Sequence, residues 1–163
     1  MIVYSIGHSN TEIEVLGGLL AASEIKTLVD TRSQPYSRYS PQYNRDALQS
    51  QLAKLKIEYV YMGDVLGGRP QGSEFYLGGG KVDYDLLGAA PFYLEGIDRL
   101  LKLAATSPLA FMCSEADFRN CHRYKLITRT LIGRGIEVRH ILHSGELVGS
   151  SCADFEPDQP SLF

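Results

Sequence analysis

Five short runs rich in β-branched and aromatic residues alternate along this chain with four stretches of apolar residues at helical spacing. The runs are Ile2-Val3-Tyr4-Ser5-Ile6, Thr27-Leu28-Val29-Asp30, Ile57-Glu58-Tyr59-Val60-Tyr61-Met62, Leu109-Ala110-Phe111-Met112 and Val138-Arg139-His140-Ile141-Leu142. Between them come Ile13, Leu16, Leu19 and Leu20, then Leu48, Leu52 and Leu55, then Leu94, Ile97, Leu100, Leu101 and Ala104, and a fourth helical pattern over about 120–132. Asn10 or Thr11, with Glu14 in capping-box spacing, predicts the start of the first helix; Asn44 or Asp46 predicts the second. Strands alternating with helices imply an α/β domain with a mostly parallel sheet flanked by helices. Residues 145–148 predict a sixth, hairpin strand. Five or six units are too few to close an eight-stranded barrel, so an open sheet is expected, with a partial barrel-like curl as the alternative.

The length of 163 residues suits one domain, expected over 1–149, followed by a loosely ordered polar tail over 150–163. No apolar run is long enough to span a membrane, and the first residues lack the pattern of a secretory signal. Three cysteines, an odd number, argue against a disulfide framework and for a cytoplasmic setting. A net charge of -3 argues against bulk binding to a nucleic-acid backbone. Tyr36, Tyr39, Tyr43 and Tyr76 lie in predicted loops near arginines, where tyrosine can stack on flat ligands or simply pack on the surface. The glycine-rich segment 63–91 is long for a loop and reads as a lid.

In parallel sheets ligands bind beyond the carboxyl ends of the strands. Those ends carry, in chain order, His8; Asp30, Arg32 and Arg38; Gly67, Gly68 and Arg69; Cys113, Glu115, Cys121, His122 and Arg123; and His143. The opposite loops carry Lys, Glu and Ser but no His or Cys. This asymmetry locates a site.

The strings Ser5-Ile6-Gly7-His8-Ser9, Leu28-Val29-Asp30-Thr31-Arg32-Ser33-Gln34-Pro35-Tyr36-Ser37-Arg38, Leu66-Gly67-Gly68-Arg69-Pro70, Met112-Cys113-Ser114-Glu115 and Cys121-His122-Arg123 resemble the successive motifs of the domain-of-unknown-function family numbered 488. The resemblance runs from Ile2 to about His143. It implies an α/β fold and a shared site at His8, Asp30, Arg32, Arg38, Arg69, Cys113, Glu115, Cys121, His122 and Arg123, and it names no reaction.

The residues themselves allow several chemistries. Arg32, Arg38, Arg69 and Arg123 suit an anion, helped by backbone N–H groups of Gly67 and Gly68; alternatively they pair with Asp30, Asp64 and Glu115. Cys113 and Arg119 have the C-x5-R spacing of phosphatase-type loops, but Glu115 and Asp117 between them would repel a dianion. Cys121, beside His122 and Arg123 near a predicted helix start, is the better nucleophile, or else a packed thiol. His8 with Asp30 could act as general base, or both cap helices. A metal site from Cys113, Cys121, His122 and His8 lacks the usual ligand spacing, and no cofactor is predicted.

The expectation is therefore an enzyme, a Cys- or His/Asp-dependent hydrolase or transferase. Its substrate would be small, anionic, phosphate-bearing and nucleotide-like. His8, Asp30, Glu115, Cys121 and His122 would do the chemistry, and Arg32, Arg38, Gly67, Gly68, Arg69 and Arg123 would bind the anion. A non-catalytic module binding a nucleotide, nucleic acid or protein is the alternative, and a Cys/His metal protein the third.

Overall fold

The computed structural model describes residues 1–155. Six strands form one sheet: β1 (Ile2–Gly7), β2 (Thr27–Asp30), β3 (Glu58–Tyr61), β4 (Leu109–Cys113), β5 (Glu137–Ile141) and β6 (Leu147–Ser150). Their spatial order is β3-β2-β4-β1-β5-β6. All neighbours pair in parallel except β5 and β6, which form the antiparallel hairpin. β3 and β6 are free edges, so the sheet is open and does not close into a barrel.

The helices are α1 (Ile13–Ala22), α2 (Arg45–Lys54), α3 (Gly63–Leu66), α4 (Tyr84–Gly88), α5 (Pro91–Thr106) and α6 (Arg129–Gly133). None is long and apolar enough to cross a membrane. Side chains alternate across a strand, and both faces of the central strands are apolar. Val3, Val29, Leu109 and Phe111 pack with α3 to α6; Ile6, Leu28, Ala110 and Met112 pack with α1 and α2. Helices thus cover both faces, and polar side chains collect where the strands end.

Three local expectations need correction. The first helix is flanked by Glu12 rather than Asn10 or Thr11, because the Thr11 hydroxyl donates instead to the His8 carbonyl. Residues 63–91 are not one open loop: α3 and α4 interrupt them, and Leu66, Phe75 and Leu87 are buried in the core. Ser150 ends β6, and Cys152–Phe155 forms a 3-10 turn that places Phe155 against Tyr124. The remainder of the expected tail, 156–163, lies outside the described residues.

The connection after β2 runs outward to β3, whereas the connection after β4 runs the other way to β5. Between β2 and β4 the chain therefore diverges, which opens the crevice where sheets of this kind hold ligands.

Candidate functional site at the carboxyl edge

β2 delivers Asp30, Thr31 and Arg32 to this crevice, and β4 delivers Cys113. Thr31 is tied to β4 by its N–H and hydroxyl, both donating to the Met112 carbonyl. Across the gap lies Cys121-His122-Arg123. His122 Nε2–H donates to the Thr31 carbonyl at 3.1 Å. Its ring packs against Gly68, where a Cβ would come within 2.7 Å of it, so only glycine lets this loop approach. Gly7 is under the same constraint, since a Cβ there would overlap the Glu115 carbonyl.

Asp30 and Arg32 form a closed internal pair. Arg32 Nε and Nη2 donate to the two carboxylate oxygens at 2.9 and 2.8 Å, and both residues are buried. The Tyr59 hydroxyl and the Arg32 backbone N–H complete the carboxylate's bonding. Arg32 also donates to the Tyr43 carbonyl and, from Nη1, to His8 Nε2 at 3.2 Å. His8 donates from Nδ1 to the Ser9 carbonyl, stacks on Tyr43, and is held neutral by burial, its pKa lowered to about 4. The expected His8–Asp30 pairing is not formed, because Arg32 stands between them. Arg32 is likewise turned inward, with most of its donors in use.

Arg123 is different. It is 1% exposed and no carboxylate pairs with it among the described residues. Nη1 donates to Ser5 Oγ at 3.1 Å and Nη2 to the Glu115 carbonyl at 3.0 Å, while Nε has no hydrogen-bond partner. Glu115 therefore meets Arg123 through its backbone, its side chain being exposed. Ser5 Oγ accepts from Arg123, so its single proton goes to His140 Nδ1; the proton on Nε2 then goes to Ser150 Oγ. Burial pushes the pKa of His140 down to about 3, which keeps it neutral in this chain. Phe118 stacks on the His140 ring at 3.8 Å.

The two sulfurs lie beside Arg123. Cys113 Sγ and Cys121 Sγ are 2.8 Å apart and both residues are free cysteines. Burial pushes the Cys113 thiol well up. The Cys113 hydrogen bond, and then the Arg123 charge, overcome burial at Cys121 and lower its pKa to about 6. The arrangement favours Cys113 as donor and Cys121 as the sulfur that ionises, with a buried guanidinium beside them. Chain geometry helps: residues 123–128 form a π-helical turn running into α6, a rare widening that recurs at functional sites. His122 is kept neutral by burial, its pKa lowered to about 4.

The remaining expected residues are peripheral. Arg38 is exposed over Tyr39, and Arg69 is exposed with its backbone N–H on Ser33 Oγ. The Gly67 N–H is already used, donating to the Gly63 carbonyl. Arg119 stacks on Phe118 and takes no part in a loop around Cys113. Tyr76 donates to the Pro70 carbonyl, while Tyr36 and Tyr39 are exposed. Among the described residues no three His, Cys, Asp or Glu side chains gather as a metal ligand set. A groove of about 580 Å³ runs alongside, lined by Tyr84, Tyr124, Phe155, Lys125 and Arg129 among others. Tyr84 links groove and site: after burial, the main influences raising and lowering its pKa are Cys121 and Arg69 respectively.

Ser5, His140, Ser150 and Tyr84 were not singled out as site residues by the sequence. Ser5 had a signal, a lone hydroxyl inside an apolar strand, whereas Ser150 had none.

The model of the family described as Domain of unknown function DUF488 matches residues 12–130. The chain belongs to this family. No curated protein and no solved structure matches the chain. The DUF488 match spans the β2, β3 and β4 ends and the Cys121-His122-Arg123 segment.

Proposed function

We propose that this DUF488 protein is an enzyme, a hydrolase or transferase, that uses Cys121 as nucleophile on a small anionic, phosphate-bearing or nucleotide-like substrate at the carboxyl edge of the sheet. One observation carries the reading: a fully buried Arg123, with no carboxylate partner among the described residues, stands beside the close Cys113–Cys121 pair, where its charge favours ionisation of Cys121. Buried charges are normally paired, so the sulfur is Arg123's natural counter-ion. The thiolate attacks the electrophilic centre and displaces the leaving group, and water or a second acceptor then releases the transferred group. His122, fixed between Thr31 and Gly68, acts as a positioning residue for Cys121. Arg69 is exposed and follows Gly68, which packs on His122, and it supplies the attraction for the anion.

Alkylation tests this. Neutral iodoacetamide should label Cys121 before Cys113 and Cys152, at a rate that levels off above about pH 7. Anionic iodoacetate should be favoured in the native protein and lose that advantage in Arg69→Ala. A Cys121 rate that keeps climbing to pH 9, as for an ordinary thiol of pKa about 8.5, would sink the nucleophile.

A non-catalytic module is the second reading, favoured by the groove, where the Tyr84, Tyr124 and Phe155 rings lie beside Lys125, with Arg129 paired to Asp85. An inert Cys121 together with saturable binding of a nucleotide to the groove would select it.

A further inference from the structure

Cys113 is more than a hydrogen-bond donor to Cys121. Its side chain is 3% exposed at the end of β4, and Cys121 is half-buried, so an incoming molecule reaches Cys121 first. The two Sγ atoms are 2.8 Å apart. A disulfide bond is about 2.05 Å long, so closure is a side-chain adjustment that moves no strand. Residues 114–120 connect the two cysteines, exposed except for Phe118, which is anchored on His140.

We propose that Cys113 and Cys121 form a reversible dithiol–disulfide couple acting on disulfide substrates, with Cys121 attacking and Cys113 resolving. This rests on Cys121 being the reactive sulfur, as proposed above, and gives the second sulfur a role. In the first step the Cys121 thiolate attacks one sulfur of the substrate disulfide, forming a mixed disulfide and expelling the other sulfur as a thiolate. That thiolate takes up the proton from Cys113. The Cys113 thiolate then attacks Cys121 Sγ, expels the second substrate thiolate and closes the Cys113–Cys121 bond. Two electrons pass from the protein dithiol to the substrate, and a substrate dithiol reverses the sequence.

The surroundings determine which state is preferred. In the reduced state the Cys121 thiolate balances the buried Arg123 charge. The disulfide is neutral, so oxidation takes the anionic sulfur away from a buried guanidinium that has no carboxylate partner among the described residues. The oxidised form is thereby disfavoured, and the disulfide is easily reduced, as in catalytic and regulatory couples rather than structural ones.

The test equilibrates the full chain carrying Cys152→Ser, which removes the exposed third thiol, in mixtures of reduced and oxidised glutathione. Acid quenching, alkylation and peptide mass mapping then read the state of each cysteine. The expected result is a Cys113–Cys121 disulfide without a lasting glutathione adduct, and a dithiol-to-disulfide ratio at least tenfold higher than for the same chain unfolded in urea. In Cys113→Ser, which keeps the side-chain shape, glutathione should stay on Cys121. A mixed disulfide that persists in the native protein overturns the couple, as does a disulfide no easier to reduce than in urea. If Cys121 reacts but the bond does not close, only this inference fails; if Cys121 does not react at all, the proposed nucleophile fails with it.

Discussion

Arg32 and Arg123 are buried under the same edge of the sheet and are neutralised in opposite ways. Arg32 meets the Asp30 carboxylate through two hydrogen bonds, with His8 and Tyr43 taking further donors. Arg123 meets a hydroxyl, a carbonyl and a pair of sulfurs. An ordinary carboxylate is ionised throughout the neutral range, whereas a thiol is ionised there only when its surroundings favour it. The first region is permanently paired and so serves the fold. In the second, charge balance depends on the chemical state of Cys121, which is what a reactive site requires.

The most severe way to break this comparison is Asp30→Ala. It leaves Arg32 buried without an anion and should lower the unfolding free energy in urea by about 3–5 kcal/mol. A loss under about 1 kcal/mol would mean that Arg32 is not held by its pair. Acid probes both regions at once, because His8 touches Arg32 and His140 belongs to the Arg123 chain. Their pKa values are lowered by folding, so the unfolded chain binds protons first as pH falls. The stability these two rings contribute should be complete above about pH 6.5 and decline through pH 4, with His8 alone contributing a loss on the order of 3 kcal/mol. A urea midpoint unchanged between pH 7 and 4.5 would show that these rings are not held neutral.

Gly68→Ala tests the loop that closes on His122. Overpacking against the ring should cost about 1–3 kcal/mol and slow Cys121 alkylation, since His122 must shift. Arg123→Met sharpens the contrast most directly. It removes the cation without adding a polar group, so Cys121 alkylation at pH 6.5 should fall at least tenfold. Stability should suffer less than in Asp30→Ala. The depressed Cys121 pKa also contributes stability that is complete above about pH 9 and lost as pH falls to about 6; this phase should shrink in the variant, the Cys113 hydrogen bond remaining. At the small end, Tyr39→Ala, on a side chain 79% exposed, should stay within about 0.5 kcal/mol and leave alkylation unchanged.

The strands were legible because Val, Ile and Phe runs between polar segments leave little choice, and alternation within them fixes two covered faces. α3 and α4, of four and five residues, are too short to show a period, so 63–91 read as a loop. The π turn was invisible for a related reason: the apolar residues around Leu126 and Ile127 keep roughly helical spacing while the backbone widens beneath them. Clustering of His and Cys at the strand ends pointed to the sheet edge where the structure brings Cys113, Cys121, His122 and Arg123 together. It could not sort the arginines. Arg32 and Arg123 differ in partner because of how Asp30 and Glu115 leave their strands, and four arginines look alike in sequence. The expected convergence on one anion became two internal cations and two exposed ones.

The chain Arg123–Ser5–His140–Ser150 joins a residue near the start of the protein to one near its end. This sets an order of events during synthesis. Cys113, Cys121 and Arg123 leave the ribosome while β5 and β6 are still unmade, so the guanidinium has no anchored Ser5 hydroxyl to hold it and the thiolate has no fixed counter-ion. The hydrogen-bonded chain that anchors Arg123 beside the sulfurs is complete only when β5 and β6 have paired. Truncation before β5 would thus leave Arg123 without its Ser5–His140–Ser150 support beside the two sulfurs.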